Sequence, residues 1–227
     1  MAVFELKNCL GIAGVMLFSY LLGSISFAVL VGKLFLKDDV RKYGSHNAGM
    51  TNVLRTAGKK AAVLTAVGDL GKGMLSVVVG RLVFAHILHA EPMYGAYLAA
   101  YCAILGHIFP IYFHFKGGKG VLTSAGAAVL IDPVSVAITA LIFAAVTFTS
   151  KIVSLGSVVM AICYPVVTYF VSLAFGRDPV PLTVCAVIFA AIIIFMHRSN
   201  IGRLIRGEEL GFGKKKKREP ADEQKRS

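Results

Sequence analysis

The side chains that can do chemistry lie in three short polar stretches, separated by long apolar ones. The stretches are RKYGSHNAGMTNVLR (Arg41–Arg55), FHFKGGKGVLTS (Phe113–Ser124) and MHRSNIGRLIRGEE (Met196–Glu209). Each combines Lys or Arg with hydroxyl, amide or glycine residues, and so offers cations, hydrogen-bonding side chains and free backbone N–H groups. This combination is typical of sites that bind phosphate.

The second stretch places Lys119 among Gly117, Gly118 and Gly120. Glycine allows positive φ and close backbone approach, so successive N–H groups can point into one concavity. The apolar helix expected after this turn would add the positive end of its dipole. The spacing of a Walker A loop is absent. A flexible basic turn between two helices explains the same residues, so this motif alone leaves both interpretations open.

The first stretch carries more hydrogen-bonding side chains than a spacer needs, namely those of Ser45, Asn47, Thr51 and Asn52. Arg55 follows them, and a guanidinium can hold a phosphate through two N–H groups. Ser, Asn and Gly are also the ordinary residues of turns, and that simpler explanation stays open.

We expect the third stretch to continue the last apolar segment as a helix. His197, Asn200 and Arg203 would then lie on one face, since residues three apart are neighbours on a helix. The alternative is an interfacial helix whose arginines reach lipid headgroups.

Four further ionisable residues lie in or beside apolar segments. Asp69 and Lys72 are three apart on an expected helix, and we favour their mutual neutralisation over a part in holding the polar loops. His107 and His114 lie nearer the turn at residues 116–120, which we call the lysine-glycine turn. Either histidine could line a cavity formed there.

The composition indicates an integral membrane protein. The chain has 227 residues, 56% of them hydrophobic, and a mean hydropathy of +0.73. We predict an all-α polytopic protein of about seven transmembrane helices, one of them short, in a single domain over residues 1–209. Residues 210–227 form a basic tail that we expect to be disordered. The predicted spans are Gly11–Leu34, Gly73–Leu88, Met93–Phe113, the short Val121–Ile131, Pro133–Phe148, Ile152–Phe175 and Val180–Met196.

The basic residues predict the orientation in the membrane. Of the 24 Lys and Arg, 20 fall in the loops around the three polar stretches, before Ile152, or in the tail. Positive loops face the cytoplasm, which requires the short segment to cross and places the N-terminus outside and the C-terminus in the cytoplasm. The net charge of +12 then reflects these loops and attraction to anionic membrane lipid, with no nucleic acid as partner.

The three stretches together resemble the three signature motifs of the bacterial acyl-phosphate:glycerol-3-phosphate acyltransferases. The matching segments are GSISFAVLVGKLF…DDVRKYGSHNAGMTNVLR, GHIFPIYFHFKGGKGVLTSAG and HRSNIGRLIRGEE, in the family's order, over about residues 23–209. The resemblance implies a multi-pass enzyme of the bacterial inner membrane whose active site faces the cytoplasm. It implies transfer of an acyl group from acyl phosphate to the 1-hydroxyl of glycerol 3-phosphate, giving lysophosphatidic acid and phosphate.

The resemblance also implies which residues act. Arg55 and Lys119 would neutralise substrate phosphates, while Ser45 and Asn200 would help to orient glycerol 3-phosphate. His197 would position the substrates first and accept a proton second, because a substrate phosphate can take the proton itself. The implied catalytic residues are Ser45, Arg55, Lys119, His197 and Asn200. The implied substrate-binding residues are Asn47, Thr51, Lys116, Gly117, Gly118 and Gly120, with the glycine amides cradling the acyl-phosphate head.

No cofactor or metal is expected, and we expect a monomer. The chain departs from the family pattern at His46, Met50, Ser26 and Leu122, and His46 leaves the geometry of the first loop open. Two other function classes compete: a transporter of a phosphorylated solute, and a non-catalytic scaffold whose basic tail binds acidic lipid.

Overall fold

A computed structural model describes residues 2–211, and within that range every regular element is helical. The part of the predicted tail beyond residue 211 lies outside the described residues. The described helices are α1 (Ala2–Gly23), α2 (Phe27–Leu36), α3 (Met50–Leu82), α4 (Pro92–Ile108), α5 (Val121–Ile131), α6 (Pro133–Ser150), α7 (Val153–Ala174), α8 (Pro179–Met196) and α9 (Arg198–Ile205).

Several of these helices are long and apolar enough to cross a membrane, and α5 is a shorter apolar helix between them. This confirms the prediction of an all-α polytopic protein with one short helix. Within the described residues the candidate spans are Glu5–Leu36, Met50–Ile87, Pro92–Phe113, Pro133–Ser150, Val153–Ala174 and Pro179–Met196.

The second span was predicted wrongly at its start. It was placed at Gly73–Leu88, whereas α3 begins at Met50, so the end of the first polar stretch is already helical. A bend at Gly58, where φ is 87°, divides α3. Its polar residues Asp69 and Lys72 are buried against other helices. Buried polar residues lower the mean hydropathy of a segment as much as exposed ones do. The hydropathy of the sequence therefore did not reveal the first half of this helix.

The first span is interrupted between α1 and α2, at Ser24–Ser26. A break at this depth frees backbone carbonyls that lipid cannot satisfy. The carbonyl of Ile25 accepts a hydrogen bond from the Lys72 ammonium at 2.8 Å. A buried cation of α3 thus stabilises the broken turn of the neighbouring span.

Small residues let the helices of the bundle approach closely. A side chain on Gly73 would clash with the Thr123 carbonyl of α5, and one on Gly126 would clash with the Leu70 carbonyl of α3. Without a hydrophobic driving force between helices in lipid, such close packing is the main source of association. It fixes α5 against α3 and thereby sets where α5 begins.

The polar stretches meet at one end of the bundle, which we call the motif end. Successive spans alternate in direction, so α2, α4, α6 and α8 finish there while α3, α5 and α7 start there. Two contacts tie these loops together: Gly120 lies against Ile108 at the end of α4, and Ser154 at the start of α7 bonds Glu209 after α9.

We expect Gly73→Ala to lower the apparent Tm in detergent by about 4–8 °C, because overpacking a tight contact costs about 2 kcal/mol. Gly71→Ala is the matched control two residues away, since a side chain there meets nothing within 4 Å. It should leave Tm unchanged or raise it slightly. Thermal unfolding followed by circular dichroism measures both, and equal Tm values for the two variants would contradict the packing argument.

Candidate active site

A cavity of about 430 Å³ lies at the motif end, and all three polar stretches contribute to its wall. The starts of α5 and α7 line it, together with α6 and the segment after α9. Its polar lining includes Ser45, His46, Asn47, Thr51, Asn52, Arg55, Asp69, His107, Lys119, Ser154, Ser157, His197, Ser199, Asn200, Arg203 and Glu209.

The loop before α3 is folded around the side chain of Asn52, which is 1% exposed. Its amide nitrogen donates to the carbonyls of Val40 and Tyr43, both at 3.0 Å. Its amide oxygen accepts from the backbone N–H of Ser45 at 2.9 Å. One buried amide therefore satisfies three backbone groups and fixes Ser45 at the edge of the cavity.

His46 occupies a left-handed turn position, with φ of 56°, that favours glycine. Its Nδ1 lies 3.0 Å from the carbonyl oxygen of Arg41. This contact anchors the ring to the start of its own loop, which shows how the loop holds a histidine at this turn position.

Arg41 ties this loop to the lysine-glycine turn. Its guanidinium pairs with Asp39 at 2.7 Å and donates to the carbonyls of Phe113 and Lys116 at 3.0 and 2.9 Å. A guanidinium that donates in several directions holds a fixed geometry between two loops. Two of the three polar stretches are thus held together independently of any substrate.

The predicted amide cradle is wrong at two of its glycines. The N–H of Gly117 donates to the Ile108 carbonyl, and the N–H of Gly118 donates to the His107 carbonyl, each at 3.1 Å. Neither glycine is among the residues that line the cavity, and exposed Lys116 is not either. These glycines instead let the turn lie flat on the end of α4, where a side chain would clash with backbone.

Two helix N-termini face the cavity instead. Gly120 has a φ of 83° and starts α5, and it lines the cavity with the first residues of that helix. Gly49 and Met50, at the start of α3, line another part of the wall. The unpaired first-turn N–H groups of a helix and its dipole both favour an anion. The prediction that α5 offers its N-terminus to this region agrees with the structure.

Lys119 lines the cavity together with Arg55 and Arg203, and its ammonium donates to the amide oxygen of Asn200. Burial lowers its pKa to about 8, the Glu209 carboxylate opposes that shift, and nearby Arg203 and Arg55 add to it. The side chain is therefore a cation near neutral pH that gains from any anion placed beside it.

Glu209 offsets this cluster of cations. Its carboxylate accepts from Asn200 Nδ2 at 2.6 Å, from Arg203 Nε at 2.7 Å and from Ser154 Oγ at 2.8 Å. Burial alone would raise its pKa, but these hydrogen bonds together hold the pKa below its ordinary value. The carboxylate thus stays ionised and fixes Asn200, which in turn orients Lys119.

His197 stands where α8 ends and α9 begins, so the third stretch is not the continuous helix that was predicted. It is 3% exposed, and its Nδ1 lies 2.8 Å from the Ile193 carbonyl oxygen. A carbonyl only accepts, so Nδ1 carries the proton and Nε2 is left as an acceptor. Burial and the Lys119 charge lower its pKa to about 4, which keeps the imidazole neutral at pH 7.

The structure brings most of the implied site residues together. Those that line the cavity are Ser45, Asn47, Thr51, Arg55, Lys119, Gly120, His197 and Asn200. Of the two histidines considered near the turn, His107 lines the cavity and His114 is exposed away from it. Among residues 2–211, no group of three or more His, Cys, Asp or Glu side chains is placed to hold a metal ion.

Sequence reasoning missed the residues whose role depends on distant contacts. Glu209 and Ser154 are 55 positions apart, and no local pattern links them. Arg55 was assigned to phosphate, yet one of its nitrogens also donates to the Leu210 carbonyl at 3.0 Å, which holds the segment after α9 over the cavity. The GEE sequence at the end of the third stretch was the only local signal for Glu209.

An apolar slot of about 80 Å³ adjoins the cavity, and Val121, Ala125, Ala140 and Met160 line both. It runs between α5, α6, α7 and α8, with Tyr164 and Phe189 in its wall. A site with a charged chamber and an adjacent apolar slot suits a molecule that has a charged head and an apolar tail.

Comparison with known proteins agrees with this geometry. The family model described as Glycerol-3-phosphate acyltransferase matches residues 13–207. A glycerol-3-phosphate acyltransferase of Burkholderia pseudomallei (strain 1710b) is 42% identical over 200 residues, covering 88% of this chain and 94% of the relative. The protein of that name from Neisseria meningitidis (serogroup C, strain FAM18) is 38% identical over 198 residues, covering 87% and 96%.

Solved structures show the same fold. The crystal structure of PlsY (YgiH), an integral membrane glycerol 3-phosphate acyltransferase, in its glycerol 3-phosphate form matches with a TM-score of 0.76 at 33% identity. The match covers 89% of this chain and 96% of that one. Its lysophosphatidic acid form matches with a TM-score of 0.72 at 32% identity, covering 89% and 95%. The sequence, the fold and the cavity thus lead to one conclusion: this chain is a multi-pass membrane protein that belongs to the glycerol-3-phosphate acyltransferase family.

Proposed function

We propose that the protein transfers an acyl group from a long-chain acyl phosphate to the 1-hydroxyl of glycerol 3-phosphate. The products are lysophosphatidic acid and inorganic phosphate, in the first acylation step of phospholipid biosynthesis. The observation that carries the proposal is one cavity that combines Arg55, Lys119 and two helix N-termini with an adjoining apolar slot. This arrangement suits two phosphate-bearing substrates, one of which has a hydrocarbon tail.

The chemistry needs no covalent enzyme intermediate. The hydroxyl oxygen attacks the acyl carbonyl carbon, the bond from that carbon to the phosphate oxygen breaks, and phosphate leaves with the electron pair. Lys119 and Arg55 stabilise the negative charge that develops as phosphate departs. The cavity holds both substrates close together, which removes much of the entropic cost of a two-substrate reaction.

The substrate hydroxyl donates to Nε2 of His197, which the Nδ1 contact to Ile193 leaves free to accept. With a pKa lowered to about 4, this imidazole is a weaker base than a phosphate, whose second pKa is about 6. The proton therefore passes to a substrate phosphate, and His197 orients the hydroxyl that loses it.

The remaining polar residues position the substrates. Ser45, Asn47 and Thr51 of the first polar stretch line the same chamber as Asn200. They are suited to bind the hydroxyl and phosphate groups of glycerol 3-phosphate, which is small and fully polar. All of these groups come from one chain, which supports a monomer as the working unit.

The charge distribution supports a cytoplasmic site in a bacterial inner membrane, with the N-terminus outside and the C-terminus inside. Positively charged loops favour the cytoplasmic side. Lys7 and Arg177 belong to the opposite end. The basic residues at the motif end include Lys33, Lys37, Arg41, Lys42, Lys59, Lys60, Lys116 and Lys151. Substrates from the cytoplasm would then reach the cavity directly, and the acyl tail would remain beside membrane lipid.

We expect Lys119→Ala to lower kcat/KM by about 10²- to 10³-fold, as expected for loss of one charge-stabilising group. Lys116→Ala in the same turn is the matched control, because its side chain is exposed outside the cavity. It should change the rate less than threefold. Lysophosphatidate and phosphate release from acyl phosphate and glycerol 3-phosphate measure both variants, and an active Lys119→Ala would remove this residue from the mechanism.

The pH profile should show the titration of Lys119. Its pKa of about 8 means that the ammonium form is present below that pH and is lost above it. Since the ammonium form attracts phosphate, kcat/KM should fall as the pH rises through about 8. Bound phosphate stabilises the cation, so the fall in kcat should come at a higher pH.

Lys119→Arg tests this assignment, because a guanidinium stays protonated to about pH 12. In this variant the alkaline fall in kcat/KM should disappear below about pH 10, even if the maximal rate is reduced. An alkaline fall at the same pH as in the native enzyme would assign the titration to another group.

The apolar slot should govern the acyl chain. Ala128 is buried and lines the slot, so Ala128→Leu fills the space that a long chain would use. We expect KM for palmitoyl phosphate to rise about 10-fold or more, given about 0.8 kcal/mol per buried methylene, while KM for octanoyl phosphate changes little. Val184→Leu on the exposed face of α8 is the control. An equal change in KM for palmitoyl phosphate and octanoyl phosphate would show that the acyl chain does not occupy this slot.

A further inference from the structure

Three ionisable side chains lie buried beneath the lysine-glycine turn, and the proposed mechanism does not use them. They are Asp69 and Lys72 of α3 and His107 of α4, with exposures of 2%, 3% and 6%. Burying charges is costly, so such a group needs either a structural or a chemical reason. Asp69 and His107 also line the cavity, which brings the group into contact with the substrate space.

The ammonium of Lys72 contacts three polar groups inside the protein. Its ammonium lies 2.8 Å from Asp69 Oδ1, 2.8 Å from the Ile25 carbonyl and 2.9 Å from His107 Nδ1. An ammonium has three N–H groups and no acceptor. The contacts to Ile25 and His107 are hydrogen bonds and the contact to Asp69 is an ion pair, so the ammonium is held by groups of the protein.

These contacts determine the tautomer of His107. A protonated Nδ1 at 2.9 Å from an ammonium would place two donors face to face. Nδ1 must therefore accept from Lys72, and the neutral ring carries its proton on Nε2. The Asp69 carboxylate, 3.5 Å from the same Nδ1, fixes Lys72 between itself and the ring.

Nε2 is left as a donor at the base of the turn. It makes no hydrogen bond to any residue in the described range 2–211. It lies beside the Cα of Gly118, on the side where a side chain would clash with the ring. Only glycine leaves room for the ring at this position, and the backbone N–H of Gly118 bonds the His107 carbonyl at 3.1 Å, which holds the two together.

We propose that His107 binds a substrate phosphate oxygen through Nε2–H, and that Lys72 and Asp69 are positioning residues that fix this tautomer. The inference rests on the proposed function, because it requires a phosphate in the cavity. It gives His107 and His197 opposite roles. His107 donates from Nε2, whereas His197, whose Nδ1 proton is held by the Ile193 carbonyl, accepts at Nε2.

Two phosphates can supply the acceptor oxygen: that of glycerol 3-phosphate and that of the acyl donor. Both present the same chemistry, a phosphate oxygen with negative charge beside the α5 N-terminus. Steady-state kinetics with each substrate varied in turn distinguishes them. Loss of the Nε2–H group of His107 should raise KM for the substrate whose phosphate it binds.

The first test compares His107→Leu with His107→Gln. Leu removes the donor, whereas the Gln amide can place an N–H near the position of Nε2. We expect His107→Leu to raise KM for one substrate about 10- to 100-fold, as for a hydrogen bond to a charged acceptor, and His107→Gln to restore at least part of that loss. His86→Leu, an exposed histidine beyond the end of α3, is the control and should match the native enzyme.

A merely structural role would give another pattern. Loss of turn geometry lowers the fraction of active enzyme, so kcat would fall with both KM values unchanged, and Gln would rescue nothing. That pattern, or an unchanged KM for both substrates in His107→Leu, would overturn the proposal. Thermal unfolding of each variant shows whether the fold has been kept.

The second test measures the tautomer directly by NMR of the full-length protein labelled with ¹⁵N-histidine in detergent micelles. His107→Gln assigns the signal. We expect a neutral ring protonated at Nε2 near pH 7, and a shift of the Nε2–H signal when glycerol 3-phosphate or inorganic phosphate is added. An Nδ1-protonated ring or an imidazolium would overturn the inference.

The two failures are distinguishable. If the native protein makes no lysophosphatidate, the proposed function fails, and the tautomer measurement still decides the geometry of His107. If the native protein is active and His107→Leu matches it, only the role of His107 fails.

Discussion

The site depends on keeping several cations together at the edge of a membrane. Arg55 and Arg203 are close enough to Lys119 for their charges to lower its pKa, and the carboxylate of Glu209 opposes them. Like charges repel strongly where water is partly excluded. The hydrogen bonds from Ser154, Asn200 and Arg203 keep Glu209 ionised, and so hold this cluster in place until substrate phosphates supply the remaining negative charge.

The fold places the ends of several helices around the cluster of Arg55, Lys119, Arg203 and Glu209. The close packing of α5 on α3, made possible by Gly73 and Gly126, sets the level at which α5 starts. Arg41 then fastens the lysine-glycine turn to the loop before α3. Helix N-termini that would otherwise face solvent are thus directed into one chamber, where they favour anions without adding a titratable group. The apolar slot begins in the same wall, so the charged and apolar parts of a substrate fit side by side.

Much of the fold follows from the sequence where lipid contact determines it. The short helix Val121–Ile131 has the predicted limits, since apolar residues continue up to Gly120 on one side and Asp132 on the other. The start of α3 was missed because Asp69 and Lys72 lower the hydropathy of this segment. Hydropathy carries no information about their buried partners His107 and Ile25. The amide cradle was wrong for the same kind of reason, since the partners of Gly117 and Gly118 lie on α4 and no local pattern shows that their N–H groups are occupied. Most residues that the family resemblance implied converge on one cavity, but Lys116, Gly117 and Gly118 do not. Asn52 and Glu209 act through contacts that only the folded chain makes.

The most direct measurement uses the native protein in lipid vesicles with glycerol 3-phosphate and three acyl donors of equal chain length: acyl phosphate, acyl-coenzyme A and acyl carrier protein thioester. The cavity combines cationic side chains and helix N-termini with an adjoining apolar slot. We therefore expect lysophosphatidate and inorganic phosphate in a one-to-one ratio from acyl phosphate, and little product from the thioesters. No product from acyl phosphate, or equal rates with a thioester, would contradict the account, and uptake of a phosphorylated solute by the same vesicles would then indicate a transporter.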